Sequence, residues 1–192
     1  MTIKILIQKT FAPQLFALLF ALLFSANNQA IAQTTPNGGF VGCATGNENV
    51  ASSSPNFEAQ VLELVNIERK KRRLKPLALA ENLSRAARYH AKDMAEDDYF
   101  NHNTYDRIKG TLVQVNSCGT FDRARKFAPE YGFRAENISA GQTSPADVMK
   151  AWMSSTGHKA NILSKNYTHI GIGYYNTSKS YQHYWTQCFG GK

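Results

Sequence analysis

Polar side chains fixed by strong structural punctuation are the ones whose geometry a chain controls, and three places in this sequence qualify. Tyr99-Phe100-Asn101-His102 sets a histidine just past the end of an amphipathic helix. Ala135-Glu136-Asn137-Ile138 sets an acid before an apolar, extended residue. Gly157-His158 begins a stretch running through Asn161-Ile162-Leu163. Imidazole and carboxylate are the groups that move protons or ligate metals near neutral pH. No nucleophile declares itself: Ser155 lies close to His158 in sequence, but no nucleophile-elbow glycine pattern surrounds it. His90 sits inside an apolar helical stripe and reads as a hydrogen-bonded core residue rather than a ligand.

These residues need elements to hold them. Phe57, Val61, Leu64 and Val65 recur at helical spacing, and the helix runs into the basic stretch Arg69 to Arg73 before Pro76 forbids continuation. A basic last turn suits the negative end of a helix, with binding to anionic lipid or wall polymer as the functional alternative. Leu83, Ala86, Ala87, His90, Ala91 and Met94 share one face of a second helix. Residues 101–119 have no sustained periodicity and read as an irregular loop; a short helix follows from about Thr120 and ends before Pro129.

Ser144-Pro145-Ala146-Asp147 opens the best-marked helix, and Gly157 is placed to end it in a left-handed conformation. Two strands close the chain, Thr168 to Tyr175 and Tyr181 to Phe189. The first of them puts Ile170, Ile172 and Tyr174 on one face and His169, Gly171 and Gly173 on the other. Helices around a small, mostly antiparallel sheet predict an α/β domain layered as an α-β-α sandwich.

The chain has 192 residues and a formal net charge of +8, from 22 Lys and Arg against 14 Asp and Glu. That biases encounters toward anionic surfaces without naming one. Lys4 and Lys9, the apolar run Leu15 to Phe24 and the small-residue site Ala30-Ile31-Ala32 read as a secretory signal peptide over 1–32. The apolar run is too short for a bilayer span, so the mature chain is expected outside the cytoplasm with no nucleic-acid partner. Gln33 to Pro55, rich in Thr, Asn, Gly, Ser and Pro, reads as a flexible leader, with the folded domain over 56–192. Cys43, Cys118 and Cys188 allow three single bridges, and one cysteine is left over.

The ordered motifs resemble the CAP superfamily, also called the SCP or PR-1-like domain, in its short bacterial form. They are Val65-Asn66 with Glu68-Arg69, Asp93-Met94-Ala95 with Tyr99 to His102, Glu136-Asn137-Ile138, Ala151 to Ser155 with Gly157-His158, Tyr167 to Gly173, and Tyr184 to Gln187. The resemblance implies a secreted sandwich with an open cleft in which His102, His158 and Glu136 converge and hold a divalent metal such as Zn²⁺ in some members. Where the family carries a second cleft acid, this chain has Ser155. Two imidazoles and one carboxylate still suffice for zinc with an open fourth position, though more weakly. The resemblance implies a binding or interaction module for an extracellular or envelope ligand, such as a lipid, a sterol or an anionic polymer. The alternative is a zinc-dependent hydrolase using the same cleft.

Overall fold

The computed structural model describes residues 33–34 and 38–191, so the 1–32 leader lies outside the described residues. Ser54 begins the first helix, its side chain accepting from the Phe57 amide, and Pro55 occupies the first turn where its missing N–H costs nothing. This helix, α1 (Pro55–Lys70), buries Val61 and Val65. A two-residue strand, β1 (Ala78–Leu79), leads into α2 (Glu81–Glu96), whose inward side is built largely from small residues. After α2 the chain forms a hairpin, β2 (Tyr105–Ile108) and β3 (Thr111–Gln114), then α3 (Thr120–Phe127) and β4 (Phe133–Ala140). Helices α4 (Pro145–Ser154) and α5 (Thr156–Ile162) precede the closing strands β5 (His169–Asn176) and β6 (His183–Gly191).

The main sheet has the order β1-β5-β6-β4, parallel between β1 and β5 and antiparallel elsewhere, which leaves β4 at an edge. The two faces of β5 decide what lies on each side. Ile170, Ile172 and Tyr174 meet Val61, Val65, Val148 and Trp152, so α1 and α4 cover that face. On the other face the α2 backbone lies directly over Gly171 and Gly173. A Cβ added at Gly171 would stand 2.0 Å from the Leu83 carbonyl carbon, and one at Gly173 would stand 2.3 Å from that of Ala87. The alternation read from the sequence therefore has a steric meaning: the two glycines are where a helix rests on the sheet.

Three expectations are corrected. Residues 101–119 contain a two-stranded hairpin turning through Lys109 and Gly110, both at positive φ. Lys109 conceals the turn, because Asn or Asp before glycine is the usual signal. Helix α4 stops at Ser154, and Gly157 lies inside α5, because Ser155 caps a new helix by accepting from the His158 amide. The 33–55 segment is held from Phe40 onward. Phe40, Ala44 and Val50 are buried against Leu83, Ala86 and Tyr89, and Phe40 stacks on Tyr89 at 4.3 Å. A disulfide joins Cys43 to Cys118, leaving Cys188 buried as a free thiol. Phe40, Ala44 and Val50 are placed where α2 offers partners, which composition alone could not reveal.

Acids on the domain also receive this segment's backbone. The Gly42 amide donates to Asp106, and the Phe40 amide donates to Asp93 Oδ1 at 3.0 Å. Asp93 Oδ2 lies 2.5 Å from the Tyr99 hydroxyl. Burial pushes the Asp93 carboxyl up to about 7, against the pull of those two hydrogen bonds.

With a helix backbone resting on Gly173, the Gly173→Ala variant destabilises the domain by more than about 3 kcal/mol. Gly157→Ala, which meets open space in a helix, stabilises it by about 0.5 kcal/mol; chemical denaturation measures both, and a loss at Gly157 would restore the left-handed reading. Asp93 keeps its proton in the fold up to about pH 7, whereas the unfolded chain releases it near 4, so its contribution is full below about pH 4 and fades as pH rises through 7. Asp93→Asn, neutral throughout and able to bond both partners, therefore gains on the native protein by up to about 1.4 kcal/mol per pH unit across that window; parallel denaturation curves from pH 4 to 7 would refute the assignment.

Candidate functional site

Strand β4 carries Glu136 and Asn137 to opposite faces of the sheet edge. Glu136 points toward α2 and α3, on the side of its register partner Cys188, and its side chain is only 2% exposed. Three elements converge on it. Arg123 of α3 donates through Nη2 to both carboxylate oxygens, at 3.1 and 3.0 Å. Thr120, at the start of the same helix, donates its hydroxyl to Oε1 at 2.9 Å. His102, in the loop after α2, places Nδ1 2.9 Å from Oε1 while half of its side chain remains exposed.

Burial by itself would raise the Glu136 carboxyl. Arg123, with lesser help from the His102 hydrogen bond, overcomes that and holds it well below the usual carboxylate range. His90 approaches Oε1 to 3.8 Å from α2. This is no ion pair, because burial and then Arg123 push the imidazole down to about 3 and keep it neutral. Its Nε2 sits 2.9 Å from the Asn101 carbonyl and so carries the proton, as expected of a core histidine. Arg123 also binds the surrounding loop, donating to the His102 and Cys118 carbonyls and to the Thr104 hydroxyl.

The opposite face of β4 positions His158. Asn137 donates to the His158 carbonyl at 3.1 Å and to Gln187 Oε1 at 3.0 Å, while Asn161 donates to Asn137 Oδ1 at 2.9 Å. Together these amides fasten the start of α5 to the sheet. His158 is partly exposed and held below its ordinary range, first by burial and then by the charge of His102. The two imidazoles thus sense one another at the open edge of the sheet.

The predicted site residues are therefore brought together unequally. His102 and Glu136 are bonded; His158 reaches the same edge from the other face with no bond to Glu136. Ser155 is a helix cap whose hydroxyl accepts from the His158 backbone rather than facing its ring as a nucleophile. Among the described residues no group of three or more His, Cys, Asp or Glu is placed to hold a metal ion. The three-ligand zinc set does not fit, because the Glu136 oxygens are engaged by a buried guanidinium whose charge opposes a second cation. What His102 retains for a ligand is its other nitrogen, Nε2, with the ring oriented by the carboxylate. Sequence reasoning missed Arg123 and Thr120. The available signal was Arg123 itself, a cation on the buried side of a short helix.

Comparison with known proteins places this geometry. A family model described as the cysteine-rich secretory protein family, CAP, matches residues 62–189. The Bacillus subtilis protein YkwD is 41% identical over 149 residues, covering 75% of this chain and 52% of its own length, so the chain spans about half of that relative. A solved extracellular protein containing an SCP domain from Bacillus anthracis is similar at 26% identity, with a TM-score of 0.59 over 74% of this chain and 45% of that one. An outer surface protein of Borrelia burgdorferi shares the fold at 19% identity, with a TM-score of 0.60 over 75% of this chain and 99% of that one. With the sandwich, the His102–Glu136 contact and the family match in agreement, this chain belongs to the CAP family.

Proposed function

We propose that this CAP domain acts outside the cytoplasm as a binding module, with His102 and His158 presented at the β4 edge to an extracellular or envelope ligand. The observation that carries the reading is the engagement of Glu136. A carboxylate that already accepts from Arg123, Thr120 and His102 and is held far below its usual range is a poor base and a poor metal ligand. Ser155 supplies no second acid. The apparatus for recognition is thus present while that for turnover is incomplete, and the zinc hydrolase reading loses its third ligand. Export is supported by the leader pattern over 1–32 and by the Cys43–Cys118 disulfide, which persists in oxidising compartments. No helix among the described residues is long and apolar enough to cross a membrane.

Cosedimentation of the purified domain with isolated cell-envelope fragments tests the proposal. Binding is expected, and the His102→Ala/His158→Ala variant loses it while keeping its melting temperature. Stoichiometric Zn²⁺ uptake by calorimetry at neutral pH, coupled to release of products from those fragments, would overturn it. The shared edge has its own check: His102→Gln removes a positive neighbour and so raises the His158 titration midpoint, read by NMR of the ring protons; an unmoved midpoint would separate the two histidines. Arg123→Met strands a buried carboxylate and costs about 3–5 kcal/mol, much of which Arg123→Met/Glu136→Leu recovers; equal losses in both variants would show that the pair is not the source of the cost.

A further inference from the structure

The basic run after α1 divides once its surroundings are known. Lys71 and Arg72 are paired with Glu68 on the exposed side of the helix. Arg69 turns inward and is only 2% exposed. Its Nε donates to the Lys75 carbonyl, and its Nη1 donates to the carbonyls of Ile162 and Ser164, each at 2.8 Å. These bonds tie the end of α1 to the end of α5, but all three acceptors are neutral. The other fully buried guanidinium, that of Arg123, has Glu136 as counter-ion. Among the described residues Arg69 has no acid, and its Nη2 makes no hydrogen bond.

Arg69 forms part of the wall of a pocket of about 540 Å³ whose rim carries Arg73, Lys75 and Lys165 and whose lining includes no acidic side chain. None of these three cations is in an ion pair among the described residues. Arg73 adds a second sign. It sits past the end of α1 at φ 57°, with the following Leu74 amide donating back to the Arg69 carbonyl. This left-handed position after a helix favours glycine, and a side chain there is strained. The chain keeps a cation where the backbone prefers none.

We infer that this pocket binds a phosphate-type oxyanion, seated against buried Arg69 and gripped by Arg73, Lys75 and Lys165. The ligand supplies the counter-charge that the fold withholds from Arg69, and the planar guanidinium with its free Nη2 suits a tetrahedral oxyanion. The site lies at the far end of α5 from His158 and is independent of the cleft reading.

Inorganic phosphate titrated into the purified domain, against chloride at matched ionic strength, is expected to raise the melting temperature saturably. Lys75→Ala/Lys165→Ala weakens that binding by at least roughly tenfold. Arg73→Gly gives the sharper result: it raises the melting temperature without phosphate by about 2–4 °C, through relief of the left-handed residue, and weakens phosphate binding. Vesicles of phosphatidylglycerol, compared with phosphatidylcholine, identify the source. Phosphate-competed binding to the former assigns the oxyanion to a lipid headgroup, and its absence alongside saturable phosphate binding assigns it to a soluble phosphate group. No saturable phosphate effect, or an effect unchanged in both variants, would overturn the inference.

Discussion

The buried pairing of Arg123 with Glu136 is the constraint on which the rest of the site depends. A carboxylate with 2% exposure survives as an anion only because a guanidinium with 1% exposure meets both of its oxygens. The same guanidinium then holds the carbonyls of His102 and Cys118 and the hydroxyl of Thr104. One ion pair thus fixes the edge strand, the histidine loop and the attachment point of the disulfide. Removing either charge would leave the other without compensation, so the pair specifies this arrangement more than it adds to its stability.

Residue types alone merge two roles that the fold separates. In sequence, His102, His158 and Glu136 look like equivalent members of one ligand set. In the fold, Glu136 acts inward, as the anchor of a charge network, while the histidines act outward at the rim. His102 joins the two, because one ring nitrogen faces the carboxylate and the other does not. Ser155 belongs to the same division: where the resemblance implies a second cleft acid, this protein has a helix cap.

Much of the architecture was legible because it rests on periodicity and punctuation. The α2 stripe, the Ser144-Pro145 start of α4 and the alternation of β5 all carry local signals, and strands β5 and β6 fall within two residues of their expected bounds. What remained hidden depends on contacts between distant segments. The burial of Phe40 against Tyr89 spans 49 positions of sequence, and a segment rich in turn formers carries no mark of it. Gly157 misled because a glycine after a helix usually ends it, whereas Ser155 had already ended α4 and begun α5. Arg69 was unreadable for a related reason, while Arg123 showed itself only as a cation on the buried side of a short helix. A buried cation is set apart by what surrounds it, and in the sequence Arg69 simply heads the basic run through Arg73.

The odd cysteine has a consequence for how the molecule matures. Cys188 lies inside β6 beside Glu136 and Gly171, and burial with the neighbouring carboxylate raises its thiol well above the usual range. A protonated, inaccessible sulfur takes no part in thiol exchange. Once the sheet has closed, an oxidant meets two reactive sulfurs where the unfolded chain offers three. Where strand assembly comes before oxidation, the core itself serves as the protecting group for Cys188.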